Sequence, residues 1–321
     1  MIEGHGDDTY QYEGIRMNFS SNISRHPDLA ALKEHLAKRL DLIDHYPEPE
    51  GWSLESKIAK KLGIPAECVI VTNGATDAIY LVAQAFPFEF TILGPTFSEY
   101  EDACNMHFRE PDLTSVWLCN PNNPNGHVYS MSELLMFVRN YSLLVIDQSY
   151  EHYTNAPMLS ARKAISMGNV VQIHSFTKTY GIPGLRLGYI TAKPSLAKCI
   201  RQVLRPWSVN ALAIEAGKYL IEHTKPCQPD LQEAQRLRKQ LRAIKGIKVE
   251  NTQTNFMLCH ITKHTAAELK DYLIREHGML IRDASNFHSL TPHHFRVAAQ
   301  TPEEDEALVQ AIADFVENYK R

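Results

Sequence analysis

No stretch of this chain is apolar for long enough to cross a bilayer. None reads as a secretory signal either, because residues 1–12 are polar and acidic. There is no surplus of basic charge. Lys and Arg number 33 against 37 Asp and Glu, a net charge of -4, so no basic face for nucleic acid is implied. The six cysteines contain no C-x-x-C pair and are scattered among apolar runs, which reads as buried free thiols in a reducing compartment. Fifteen histidines are present, but no H-E-x-x-H and no Cys/His cluster at ligand spacing, so no metal site is expected. His293-His294 reads as part of a loop before a strand. Repeats and low-complexity linkers are also lacking. These absences point to a soluble cytoplasmic protein with neither nucleic acid nor membrane as a partner. A length of 321 residues is enough for one large domain and a smaller one.

What is present is an alternation of short apolar runs with longer helical patterns. Strands are expected over 68–72, 90–93, 115–119, 142–147 and 170–174, with helices over 75–86 and 131–140. The first strand stops at Asn73-Gly74 and the third at Asn120-Pro121. Their runs are β-branched and almost unbroken, as in strands covered on both faces. The expected fold is therefore α/β, a mostly parallel sheet covered by helices in a large domain. Helices dominate 194–244, and strands over 247–250, 256–260 and 295–298 then alternate with two helices. That pattern predicts a smaller α+β domain. The divisions expected are an N-terminal arm at 1–36 joining the small domain, a large domain at 37–222 and the small domain at 223–321.

The most informative segment is Ser175-Phe176-Thr177-Lys178-Thr179-Tyr180, followed by Gly184-Leu185-Arg186-Leu187-Gly188-Tyr189. A lysine that condenses with an aldehyde needs neighbours that tune its amine and hold the aldehyde's carrier against it. Hydroxyls and an arginine at this spacing could grip a phosphate beside that aldehyde. Upstream, Asn73-Gly74-Ala75-Thr76-Asp77 joins a strand to a helix start, where backbone N–H groups receive phosphate. Taken alone it is an ordinary capped turn. Phe97, after Gly94-Pro95-Thr96, could stack on an aromatic ring or simply fill the core. Asn123, in Asn120-Pro121-Asn122-Asn123-Pro124-Asn125-Gly126, could donate to a phenolic oxygen, though as turn chemistry the segment is unremarkable. Asp147 ends a buried strand and Tyr150 lies three residues on. A carboxylate at the C-terminal end of a strand is where α/β sheets place ligand chemistry.

In their order along the chain these motifs resemble those of the pyridoxal 5'-phosphate enzymes of the aspartate-aminotransferase fold type, the class I/II aminotransferase family. The resemblance spans nearly the whole chain. It implies that Gly74, Ala75, Thr76, Ser175, Thr177 and Arg186 surround the cofactor phosphate and that Phe97 stacks on the ring. It implies further that Asn123 and Tyr150 bond its O3′, that Asp147 faces the pyridine nitrogen, and that Lys178 is the catalytic lysine linked to the aldehyde. Tyr46, in Tyr46-Pro47-Glu48-Pro49, matches a tyrosine that reaches the phosphate in the other subunit, which implies a homodimer with shared sites.

Several further segments narrow the likeness: Gly4-His5-Gly6, Phe19-Ser20-Ser21-Asn22-Ile23, Pro206-Trp207-Ser208-Val209-Asn210, Ile281-Arg282-Asp283-Ala284-Ser285-Asn286-Phe287 and Phe295-Arg296-Val297-Ala298. They look like those of the L-threonine-O-3-phosphate decarboxylases of the cobalamin pathway, which make aminopropanol phosphate. The alternative is a class I/II aminotransferase acting on histidinol phosphate or another amino acid. Many relatives carry Asp-Glu-Ala-Tyr where this chain has Asp147-Gln148-Ser149-Tyr150. Arg296 corresponds to the arginine that holds a substrate carboxylate. A second arginine, Arg282, suggests a second anionic group, such as a phosphate. His5 and Asn22 could add neutral donors to the substrate.

Overall fold

A computed structural model describes residues 8–23 and 29–318. Its centre is a six-stranded sheet built from Val69–Thr72, Phe88–Ile92, Glu110–Cys119, Leu143–Asp147, Val170–Ser175 and Gly188–Ala192. With Met17–Asn18 as β1, these are β2 to β7 in chain order. The spatial order is β2-β7-β6-β5-β4-β3. Strands β3, β4, β5 and β6 run parallel, and β7 is antiparallel to both neighbours. Every residue of β2, β5 and β6 is buried, as their β-branched runs demand when helices cover both faces.

Chain order supplies those helices: Ala30–Ala37 (α1), Trp52–Leu62 (α2), Gly74–Ala85 (α3), Glu99–His107 (α4), Met131–Asn140 (α5), Ala161–Met167 (α6), Phe176–Tyr180 (α7), Pro194–Arg201 (α8) and Ala211–His223 (α9). One face of the sheet packs on α3, α4 and α8 around Ile70, Val82, Tyr100 and Trp117. Leu134 of α5 and Ala164 of α6 close the other face over Val116, Leu144 and Ile146. Local signals set the helix ends. Ser130 and Glu133 form a capping box on α5. Gly63 stops α2 in the left-handed conformation at φ 65°.

The remaining strands are Ile247–Val249 (β8), Phe256–Ile261 (β9), Met279–Leu280 (β10), Arg282–Asp283 (β11) and His294–Ala298 (β12). Four of them form an antiparallel sheet in the order β11-β12-β9-β8, backed by Leu231–Ala243 (α10), Ala266–His277 (α11) and Pro302–Asn318 (α12). The N-terminal segment belongs to this second core. β1 pairs in parallel with β10, and Phe19 is wholly buried among Leu237, Met257 and Phe295. Its backbone bonds both ways: Phe19 N–H donates to Leu280 O at 2.8 Å, and Ala298 N–H donates to Phe19 O at 2.9 Å. Burying a side chain of this size stabilises by about 1.5–3 kcal/mol and pins the residues that follow it. Leu32 of α1, in contrast, packs with Leu54 and Leu220 against the six-stranded side.

The sheet agrees with the expected mostly parallel α/β architecture. Some features differ from the strand and helix ranges read from sequence. β4 begins at Glu110 rather than near 115, and α2, α4 and α6 fill segments that carried no helical expectation.

Candidate active site

The C-terminal ends of β2, β4, β5 and β6 open into one cavity of about 410 Å3, as expected where the connections of an α/β sheet diverge. Ala75 and Thr76 line it from the first turn of α3. That turn starts at Gly74, whose φ of 85° suits glycine alone. Behind it a Cβ on Gly188 would lie 2.8 Å from the carbonyl carbon of Gly74 and 2.9 Å from the Ala75 nitrogen. The Arg186 guanidinium comes within 2.8 Å of where a Cβ on Gly74 would be. Arg186 itself sits in the left-handed region at φ 54°, an outlier for a long side chain. Two glycines thus bring a helix N-terminus, an arginine and the Ser175 end of β6 close together.

The floor is Asp147, buried at the end of β5 beside Cys119 in the register of β4. Its Oδ2 accepts from the Tyr100 hydroxyl at 2.7 Å and its Oδ1 from the Ser149 N–H at 2.8 Å. Burial raises its pKa, and the bonds from Ser149 and Tyr100 pull it back. Burial likewise holds the Tyr100 and Tyr150 phenols and the Cys119 thiol protonated. Phe97 lines the cavity and meets Tyr100 edge-on at 5.8 Å.

Lys178 stands on α7, directly after β6. Its Nζ donates to Asn22 Oδ1 at 2.9 Å, and Asn22 Nδ2 donates to the Tyr150 hydroxyl at 2.7 Å. The ammonium also lies 5.5 Å from the Tyr150 ring centroid. Asn22 therefore links the lysine and the tyrosine across the cavity, having been carried there by the buried Phe19. Arg296 reaches in from β12. Its guanidinium donates to Asn123 Oδ1 and, at 2.6 Å, to Ser20 O, while its buried Nε has no partner among the described residues. Burial lowers its pKa.

Of the residues singled out in the sequence, the cavity brings together Asn22, Ala75, Thr76, Phe97, Asn123, Asp147, Tyr150, Ser175, Thr177, Lys178, Arg186 and Arg296. Gly74 shapes the wall without lining it. Arg282 is directly opposite Arg296 in the β11–β12 register but faces a neighbouring cleft of about 290 Å3 with Tyr12 and Asn286. Tyr46 stands outside the cavity, 87% exposed and packed against Trp207 at 5.6 Å between ring centroids. His5 lies outside the described residues. Sequence reasoning missed Tyr100, Ser149, Cys119 and Ser20, all of which line the cavity. The Phe97-x-x-Tyr100 spacing was the available signal for Tyr100, since it sets both rings on one side of a helical turn.

The aminotransferase class I and II family matches residues 107–312. A crystal structure of L-threonine-O-3-phosphate decarboxylase from Porphyromonas gingivalis superposes with a TM-score of 0.88 at 36% identity, covering 94% of this chain and 100% of that one. Threonine-phosphate decarboxylase of Salmonella typhimurium is 28% identical over 334 residues, 92% of this chain and 90% of that protein. Histidinol-phosphate aminotransferase of Anaeromyxobacter sp. is 30% identical over 318 residues, 88% of this chain and 85% of that protein. The chain belongs to the class I and II aminotransferase family. It is an enzyme of the pyridoxal 5'-phosphate class with that family's fold.

The cavity fits that cofactor on its own chemistry. The α3 N-terminus, the hydroxyls of Thr76, Ser175 and Thr177 and the Arg186 guanidinium form a phosphate-sized donor set. Among the described residues the buried Thr177 Oγ1 has no hydrogen-bond partner, as a donor awaiting a ligand acceptor would be. A buried carboxylate, a ring and an amine are arranged around the same space.

Proposed function

We propose that the protein decarboxylates L-threonine O-3-phosphate to aminopropanol phosphate. The observation that carries this reading is the pair of buried arginines, Arg282 and Arg296, paired across β11 and β12. Among the described residues neither guanidinium meets a carboxylate. Arg282 donates to Asn286 Oδ1 at 2.7 Å, and Arg296 donates to Asn123 and Ser20. Burial and the neighbouring Arg296 push Arg282 down to about 10. Two desolvated cations, neither in an ion pair among the described residues although Asp283 and Asp8 stand near Arg282, favour a ligand with two anionic groups. A phosphorylated amino acid has a carboxylate for Arg296 and a phosphate for Arg282. The similarity to threonine-phosphate decarboxylases at 28% and 36% identity supports the same substrate.

In this reading Ala75, Thr76, Ser175, Thr177 and Arg186 hold the cofactor phosphate, and Phe97 covers the ring. Asn123 and Tyr150 would contact its O3′, Asp147 would face its ring nitrogen, and Lys178 would carry its aldehyde. The cofactor bound there supplies an electron sink for a bond broken at the substrate Cα. The protein decides which bond that is. Arg282, holding a distal phosphate, swings the carboxylate upright, and Asn22 releases Lys178 from its hydrogen bond. Lys178 Nζ, displaced from the aldehyde by the substrate amine, would be the group placed to give Cα a proton in place of the lost CO2.

The same proposal includes a homodimer with Tyr46 reaching the partner's site. Leu40, Ile43, Tyr46, Trp52 and Trp207 are all at least half exposed, an apolar surface that supports burial against a second copy. It also includes an N-terminal arm at 1–36, a large domain at 37–222 and a small domain at 223–321.

A second reading, amino transfer to or from histidinol phosphate, draws on the 30% identical relative of that name. It is also favoured by Arg282 opening on the neighbouring cleft. Offering L-threonine phosphate and histidinol phosphate separately decides between them. CO2 with aminopropanol phosphate is expected from the first. Keto-acid-dependent amino exchange without CO2 replaces the proposal with the second.

A further inference from the structure

Below the cavity floor a buried polar chain takes no part in the chemistry described above. It runs Gln148, Gln172, Thr191, His174, Glu151. Gln148, Gln172, Thr191 and His174 are each at most 3% exposed. The Gln172 amide nitrogen donates to Leu159 O at 2.8 Å and to Gln148 Oε1. A backbone carbonyl can only accept, so this bond fixes which way the Gln172 amide points. Its Oε1 therefore faces Thr191, whose hydroxyl donates to it at 3.1 Å. That spends the only hydrogen Thr191 has. The Thr191 oxygen lies 3.2 Å from His174 Nε2 and is left only to accept, so Nε2 carries a proton. The other ring nitrogen, Nδ1, lies 2.9 Å from Glu151 Oε1, with a proton between them. The donor count thus places two protons on the His174–Glu151 pair.

We propose that His174 is a positioning residue held as a cation by Glu151 and Thr191, fixing and polarising the loop that presents Asp147 and Tyr150 to the cofactor. The placement is specific. Glu151 directly follows Tyr150, and His174 directly precedes Ser175. The pair therefore ties the end of β5 to the end of β6, and the Glu151 N–H closes the ring on Gln148 O at 2.9 Å. The His174 ring lies flat on Tyr189 of β7, 4.4 Å between centroids and 9° between planes. The charged or titratable groups facing the pair are His152 on its own loop, Lys61 of α2, Tyr180 of α7, Tyr189 of β7 and Asp147 of β5. His174 draws the Glu151 carboxyl down against burial, and it favours the ionised form of Asp147. His174 is buried and the Glu151 side chain is 20% exposed, and an ion pair of this kind is weak evidence for net stability.

The test uses the cofactor-loaded enzyme without substrate, so the choice of substrate has no bearing on it. Two readouts are followed: the cofactor dissociation constant, and the pH midpoint at which the bound cofactor's visible band changes. His174→Gln removes the cation and leaves the Glu151 anion, so the midpoint is expected to rise by about one unit and the dissociation constant by about tenfold. Glu151→Gln removes the anion, so its midpoint is expected to move downward. If His174→Gln does not fold, Thr191→Val keeps the branched shape, strips the acceptor from Nε2, and is expected to raise the midpoint by a smaller amount. Opposite shifts are the signature of charge. Lowered melting temperatures with unmoved midpoints, or shifts of one sign in both variants, overturn the proposal.

Discussion

Tyr100→Phe removes one oxygen and keeps the ring between Phe97 and Trp117, at 5.8 Å and 6.2 Å between centroids. What is lost is the 2.7 Å bond to Asp147 Oδ2. A bond to a charged acceptor contributes about 1.5–3 kcal/mol, and each pKa unit corresponds to about 1.36 kcal/mol. Asp147 is fully desolvated on the β5 end, so little of this is screened. Burial already raises its pKa, and the Tyr100 bond opposes that rise. Losing the bond should therefore raise the Asp147 pKa further, by about one to two units. A raised carboxyl takes up its proton at higher pH. The acid limb of kcat/KM should move upward by the same amount, with activity near pH 8 changed least. A pH–rate profile of the variant beside the parent measures it. An unmoved acid limb, with cofactor still bound, would refute the assignment of Asp147 to the ring nitrogen.

Gly188→Ala places a methyl 2.8 Å from the His174 carbonyl oxygen and from Gly74 backbone, atoms that cannot yield as a flexible side chain would. It should cost about 1–3 kcal/mol and loosen the phosphate cradle, read by chemical denaturation and by cofactor titration. Burial pushes Asp305 up to about 8 from 3.8, so the folded protein keeps a proton that the unfolded chain loses between those values. The contribution of Asp305 to stability should therefore be full below about pH 4 and fall as pH rises toward 8, and Asp305→Asn should remove that contribution in denaturant titrations at pH 5 and 8. Arg282→Ala should weaken a phosphorylated substrate about a hundredfold while sparing cofactor binding, whereas Arg296→Ala should weaken any amino-acid substrate. Equal losses for phosphorylated and plain amino acids in Arg282→Ala would remove it from phosphate recognition.

The parts of the site legible in sequence are those at strand ends. β2, β5 and β6 are fully buried, mostly apolar runs, and β5 and β6 stop at Asp147 and Ser175, which line the cavity, so Asp147 and the segment leading to Lys178 could be located by pattern alone. Residues whose role depends on another element were harder to see. Asn22 was expected to touch substrate. In the structure it bridges Lys178 and Tyr150, an arrangement that depends on Phe19 burying in a distant core. Tyr100 was hidden because α4 is short and rich in acidic residues, with little helical periodicity. α2 was more readable than it was taken to be, since a left-handed glycine closes an amphipathic run at Gly63. Arg282 and Arg296 are fourteen residues apart in the chain. The strands do pair them, but they open on adjoining spaces, Arg282 in a cleft lined also by Lys270 and Ile274 of α11. The Gln148–Glu151 chain had no signal beyond its polar residue types, since its meaning is in the hydrogen-bond directions.

The central claim is that this cavity holds pyridoxal phosphate through Lys178. Reducing the holoenzyme with borohydride and mapping the labelled peptide tests it most directly. The account expects one modified lysine, in Ser175-Phe176-Thr177-Lys178, with the label and the visible band both lost in Lys178→Ala. A label on any other lysine, or retained in that variant, would contradict it.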